Sequence, residues 1–127
     1  MTTKRILVID DEEDIQEVVQ LCLKTVGGWE VLTAGSGNEG LAKAEAAQPD
    51  AILLDVMMPD IDGIATFQKL QANTATQHIP VILLTAKVQA ADQRRFAELG
   101  MVGMISKPFD PLNLTSQIAE LLNWSIS

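Results

Sequence analysis

At 127 residues, with 47% hydrophobic and 20% charged side chains, the chain has the composition of one packed globular domain. Nine Lys+Arg against 17 Asp+Glu leave a formal charge of −8, which argues against direct binding of nucleic acid, where basic side chains must neutralise phosphates. Cys22, the single cysteine, allows no intramolecular disulfide, and no apolar stretch approaches the ~18 residues that span a bilayer. The N-terminus enters a strand at once and lacks a signal peptide's apolar region, so a cytoplasmic protein with no membrane partner is expected.

Ile6-Leu7-Val8-Ile9 is the first apolar run and ends on Asp10-Asp11. Short continuous runs rich in β-branched residues read as strands buried on both faces, the habit of a parallel sheet. Residues 12–25 carry apolar side chains at helical spacing, and Gly27-Gly28 stops that helix. Within it Cys22 is in phase with Ile15, Val18, Val19 and Val26, which predicts a core position. Residues 29–34 read as a second strand. Ser36 and Glu39 form a capping box that opens an Ala-rich helix stopping before Pro49.

Ala51-Ile52-Leu53-Leu54 is the third strand and runs into Asp55. The loop Met58-Pro59-Asp60-Ile61-Asp62-Gly63 then leads to a helix carrying Ile64, Phe67 and Leu70. After a polar connector over 73–78, Pro80 opens the strand Val81-Ile82-Leu83-Leu84, which ends on Thr85. Residues 89–99 read as a charged amphipathic helix closed by Gly100, and Met104-Ile105-Ser106 runs into Lys107. Asp110-Pro111 supplies the N-cap and first turn of a last helix with Leu114, Ile118, Leu121 and Leu122 on one face. Five βα units with right-handed crossovers predict a doubly wound, five-stranded parallel sheet in a three-layer α/β/α sandwich. One domain over 1–127, with no room for an output domain, is the expectation.

In an open α/β sheet, groups just past the carboxyl ends of the strands converge on one crevice. Asp10, Asp11, Asp55, Thr85 and Lys107 all stand there. Two carboxylates ~4 Å apart repel by about 4 kcal/mol at an effective dielectric of about 20. A hard cation holds such a cluster most simply, and Mg²⁺ takes one or two carboxylates while keeping several waters. No His or Cys cluster suggests zinc. Asp55 has the position of a nucleophile that attacks phosphorus to give an aspartyl phosphate. Lys107 can neutralise a transferring phosphoryl oxygen, and the hydroxyl of Thr85 can hydrogen-bond another. Glu13 and Asp14 read as a solvated helix start that complements the helix dipole. His78 reads as solvated, Arg94-Arg95 as the solvated face of their helix, and Trp29 and Trp124 as packing residues at element ends.

With Asp10-Asp11, Asp55, Met58-Pro59, Gly63, Thr85-Ala86 and Lys107-Pro108-Phe109 in this order, the chain resembles the receiver domain of two-component response regulators over essentially its whole length. The resemblance implies a flavodoxin-like strand order 2-1-3-4-5, and Mg²⁺ held by Asp10 or Asp11, Asp55 and the backbone carbonyl of Met57. It implies transfer from a phosphohistidine of a histidine kinase or phosphotransfer protein to Asp55, with a downstream protein target or output domain, in a signalling switch that is not an enzyme. It also implies a cis Lys107-Pro108 bond, cis bonds being essentially confined to X–Pro. Two positions depart from the common pattern: Met104 stands where many receivers carry Tyr or Phe, and Met57 offers no side-chain acid or amide two residues past Asp55. Haloacid-dehalogenase-type phosphohydrolases also form an aspartyl phosphate on an α/β sheet, but place a second Asp where this chain has Met57. A binding module that works without phosphorylation would have no need of the five polar groups retained here.

Overall fold

The computed structural model describes residues 3–56, 63–85, 94 and 97–124. Five parallel strands, β1 (Arg5–Ile9), β2 (Glu30–Ala34), β3 (Ala51–Asp55), β4 (Val81–Thr85) and β5 (Gly103–Ser106), lie in the order β2-β1-β3-β4-β5. Four described helices, α1 (Glu13–Thr25), α2 (Gly37–Ala47), α3 (Gly63–Ala72) and α4 (Pro111–Leu122), cover its two faces. The sequence expectation of a doubly wound sheet in that order is met. Of the helix expected over 89–99, only Arg94 and residues 97–99 are described; Gly100, with φ +101°, follows them as the expected stop.

Successive side chains of a strand point to opposite faces, and the core divides accordingly. Ile6, Val8, Leu53, Ile82, Leu84 and Ile105 face α1 and α4, where Val19, Leu23, Leu114 and Ile118 meet them. Leu7, Ile9, Ile52, Leu54 and Leu83 face α2 and α3, where Ala44, Phe67 and Leu70 meet them. Each such buried Val, Leu, Ile or Phe side chain contributes about 1.5–3 kcal/mol relative to leaving it in water. Continuous apolar runs are thus what a sheet covered on both sides requires.

The helix ends follow the local chemistry. Asp110 caps α4 by accepting from the Leu112 N–H at 3.0 Å, and Pro111 occupies the first turn. Ser36 Oγ accepts from the Glu39 N–H at 3.1 Å, but the return bond of the box differs from the usual one. Glu39 Oε1 accepts from the Gly35 N–H at 2.9 Å, one residue ahead of the N-cap, while Oε2 pairs with Lys43 at 3.0 Å. These partners hold the Glu39 carboxyl below its usual value, the Gly35 hydrogen bond being the largest cause.

Burial along α1 is narrower than its apolar pattern. Val19 and Leu23 are buried and Ile15 and Cys22 half-buried, but Val18 and Val26 are 37% and 45% exposed. Val18 sits about 100° around the helix from Val19 and rolls off the sheet, and Val26 is the C-cap residue. Beyond it, Trp29 folds back over Gly27, where an added Cβ would stand 2.8 Å from the indole. Trp29 meets Trp124 edge to face at 5.1 Å between ring centroids, and Lys4 Nζ lies 5.3 Å from the Trp124 ring. His78 is exposed, as expected, and so is Arg94; Arg95 lies outside the described residues. The polar connector over 73–78 conceals a fully buried Thr76, whose hydroxyl donates to the Leu70 carbonyl at 2.8 Å.

Candidate functional site

β1, β3 and β4 are adjacent, so Asp10, Asp55 and Thr85 emerge side by side at one edge of the sheet. All three are buried polar residues; Asp10 is 0% and Asp55 3% exposed. Asp11, next along the chain, is exposed and forms the outer wall. Asp10, Asp11 and Asp55 each offer one carboxylate oxygen within 4.8 Å of the others, the single group of three metal-ligating side chains found among the described residues. At that spacing each carboxylate pair repels by about 3.5 kcal/mol at an effective dielectric of about 20.

Lys107 enters this cluster from the end of β5. Its N–H donates to the Thr85 carbonyl at 2.8 Å, which extends the β4–β5 ladder by one rung and turns the side chain inward. The Lys107-Pro108 bond is cis, as the resemblance implied. Nζ lies 2.9 Å from Asp10 Oδ2, 3.3 Å from Asp55 Oδ1 and 3.5 Å from Glu12 Oε1. Burial acts most strongly on this ammonium and pulls its pKa down. The hydrogen bond and charge of Asp10, with the charge of Asp55, together outweigh burial, and the pKa is raised. The lysine is therefore held protonated between two buried carboxylates.

Backbone and outer residues fix the carboxylates. The Glu12 N–H donates to Asp10 Oδ1 at 2.9 Å, and the Asp10 N–H to the Ala34 carbonyl at 3.0 Å. Gln16 Nε2 reaches the Asp10 carbonyl at 2.6 Å and the Ala34 carbonyl at 3.3 Å, tying α1 to the ends of β1 and β2. Gly63 packs so tightly on β3 that an added Cβ would stand 2.4 Å from the Asp55 carbonyl oxygen. On the α1 side a groove of about 450 Å³, lined by Ile15, Val18, Phe109 and Pro111, opens beside Glu12 and Lys107.

The donor set fits a small hard cation. It is all oxygen, and Asp10 Oδ2 is buried without a hydrogen bond of good angle, although the lysine lies beside it. Three carboxylates against one ammonium leave a formal charge of −2, which a divalent ion would cancel. Met57, named as a carbonyl ligand, lies outside the described residues, as do Met58, Pro59 and Ala86.

The response regulator receiver domain model matches residues 6–119. This chain belongs to that family. The receiver is 39% identical over 122 residues to the Bacillus subtilis alkaline phosphatase synthesis transcriptional regulatory protein PhoP, covering 96% of the chain and 50% of the relative. It is 37% identical over 118 residues to the DNA-binding dual master transcriptional regulator RpaA of Synechocystis, covering 93% and 48%. The chain thus spans about half the length of these curated relatives. Among solved structures, the chemotaxis response regulator CheY4 of Vibrio cholerae superposes with a TM-score of 0.87 at 30% identity, covering 94% of this chain and 99% of that one. A CheY-like receiver domain protein from Methanospirillum hungatei gives 0.84 at 29% identity, covering 96% and 95%. The receiver is a domain of two-component signalling, and no helix among its described residues is long and apolar enough to cross a membrane.

Sequence reasoning assembled Asp10, Asp11, Asp55, Thr85 and Lys107; the geometry groups the three aspartates and brings the lysine into contact with two of them, Asp10 and Asp55. It passed over Glu12 and Gln16. Glu12 carried one weak signal: it sits at an N-cap, where Ser, Thr, Asp or Asn is usual.

Proposed function

We propose that this receiver is a phosphorylation-driven binding switch in which Asp55 accepts a phosphoryl group from a phosphohistidine of a histidine kinase or phosphotransfer protein. The observation that carries this reading is Lys107 Nζ shared between Asp10 and Asp55 inside a buried pocket at the strand ends. A carboxylate oxygen of Asp55 forms the new O–P bond while the P–N bond of the donor breaks, its electron pair staying on the imidazole nitrogen. Lys107 is close enough to follow the developing charge without leaving Asp10, and Thr85 stands at the next strand end to donate its hydroxyl. Asp10, Asp11 and Asp55 are the side chains that would hold Mg²⁺, with the Met57 carbonyl as a further expected ligand; bound there, the ion supplies positive charge against the phosphoryl oxygens.

The phosphoryl group leaves about two negative charges where the Asp55 carboxylate carried one. Thr85 and Lys107 stand at the ends of the last two strands, so the change is passed to the surface of β5 and α4, and to the helix expected from the sequence over 89–99. Met104 pairs with Leu83 in the β4–β5 ladder and packs half-buried on the α2–α3 side. An unbranched thioether repacks at little cost, which weakens the bias between the two states of the switch. The partner at that surface is a protein target or an output domain, and nucleic acid is contacted only through such a partner. The setting is the cytoplasm, and the domain turns over no external substrate. Mass spectrometry after incubation with Mg²⁺ and acetyl phosphate tests the core of this reading. One acid- and base-labile phosphoryl group is expected on wild type and none on Asp55→Asn; stoichiometric labelling of the variant would overturn it.

A further inference from the structure

Lys107 has a third anionic neighbour that the acceptor reading leaves without a role. Glu12 Oε1 approaches its ammonium to 3.5 Å from the solvent side, with the glutamate side chain 59% exposed. Glu12 is also the N-cap of α1, yet its side chain makes no capping bond there. An oxygen at that position ordinarily accepts from the N–H two or three residues on. Instead the side chain reaches a lysine 95 residues away in sequence. An exposed contact of this kind contributes little to folding, so its consequence is electrostatic. Glu12 Oε1 and Asp55 Oδ1 touch the same ammonium and are therefore less than about 7 Å apart, within a Debye length at physiological salt.

We propose that Glu12 is a specificity-determining residue of the acceptor site. Its carboxylate is a fixed negative charge at the rim that draws Lys107 outward and selects phosphodonors by charge. It disfavours doubly anionic acyl phosphates relative to P–N donors whose nitrogen is cationic. The inference rests on Asp55 being the phosphoacceptor. With acetyl phosphate, the Asp55 O–P bond forms as the acyl P–O bond breaks and acetate leaves with the electron pair. With phosphoramidate, the same bond forms as P–N breaks, and the protonated nitrogen leaves as ammonia with its pair. The first donor brings about two negative charges near neutral pH and the second a net one, so Glu12 repels them unequally.

The test compares rate constants for phosphorylation by acetyl phosphate and by phosphoramidate, with Mg²⁺ at low salt, in wild type, Glu12→Gln and Asp14→Asn. Glu12→Gln is expected to raise the acetyl phosphate rate two- to fivefold more than the phosphoramidate rate, and ~0.5 M salt should abolish the difference. Asp14→Asn, an exposed carboxylate in the same acidic run, should leave the ratio unchanged. A second readout needs neither metal nor turnover. In metal-free protein, a double-mutant cycle of Glu12→Gln with Lys107→Met should show coupling of about two- to fivefold in the unfolding equilibrium. An unchanged donor ratio in Glu12→Gln, an equal change in Asp14→Asn, or zero coupling overturns the proposal while the acceptor reading stands. Failure of wild type to label with either donor overturns both.

Discussion

Gly63 is the residue on which the acceptor's backbone geometry leans most directly, and Gly63→Ala tests that dependence. The added methyl would stand 2.4 Å from the Asp55 carbonyl oxygen, 2.7 Å from Val56 Cα and 3.0 Å from the Asp55 carbonyl carbon. All three are main-chain atoms, so no side chain can rotate away. Restoring ordinary contact needs a separation of roughly 1 Å between the start of α3 and the end of β3. That movement also stretches the 2.8 Å bond from the Gly63 N–H to the Val56 carbonyl. Overpacking of this kind costs about 1–3 kcal/mol, and alanine's better helix propensity returns less than ~1 kcal/mol at a first helical position. The expected net loss is about 1–2 kcal/mol by urea unfolding, or a Tm lower by roughly 4–7 °C. Because two of the three atoms pushed aside belong to Asp55, phosphorylation by acetyl phosphate should slow by at least about tenfold. Gly35→Ala is the matched control: its Cβ would meet nothing nearer than 3.7 Å, and it should change stability by less than ~0.5 kcal/mol. Equal stability of the two variants, with a normal rate for Gly63→Ala, would refute the reasoning.

Lys107→Met removes the only cation that the three anions share among the described contacts. In metal-free protein it should destabilise by about 2 kcal/mol, less than for a fully buried pair because the lysine is partly exposed. Saturating Mg²⁺ should recover most of that loss; equal losses with and without the ion would sink the view that lysine and metal neutralise one cluster. Titration calorimetry should find Mg²⁺ binding weakened at least about tenfold in Asp11→Ala and little changed in Asp14→Ala, and equal losses would mean a diffuse acidic field. The lowered pKa of Glu39 means that its contribution to stability is fully present above the ordinary carboxylate value of 4.5 and is lost as pH falls through the lower folded value. Glu39→Gln should therefore cost ~0.5 kcal/mol near neutral pH and nothing at strongly acid pH; a pH-independent difference would contradict it.

The frame was legible because a strand buried on both faces needs a continuous apolar run, and the runs of four strands, all but the second, lead into a polar residue at the crevice. Asp10, Asp55, Thr85 and Lys107 could be grouped without knowing a single distance, since a parallel sheet puts all its carboxyl ends on one side. The roll of α1 was not legible. Valines at positions 18, 19 and 26 look alike in sequence, but only Val19 meets the sheet, because the buried arc is set by where β2 and α4 lie against the helix. Nor could the pattern show that Thr76 is buried beneath a polar connector, where one bond to the Leu70 carbonyl satisfies it. The Glu12–Lys107 and Gln16–Asp10 contacts escaped for a related reason. Long polar side chains reach partners that local periodicity does not encode, and an exposed glutamate in an acidic run reads first as a solvated helix start.

Both tryptophans of the chain occupy one contact, at the amino ends of the strands. The acceptor pocket is at the carboxyl ends, about one strand length or ~16 Å away. Indole emission therefore reports whether α4 is docked on the sheet and is remote from metal and phosphoryl chemistry at Asp55. Unfolding can be followed by fluorescence while the pocket is loaded or empty, with no spectral contribution from the occupant to subtract. If phosphorylation did alter the emission, the signal would have crossed the whole sheet, and the change would measure mechanical continuity between the two ends of the domain.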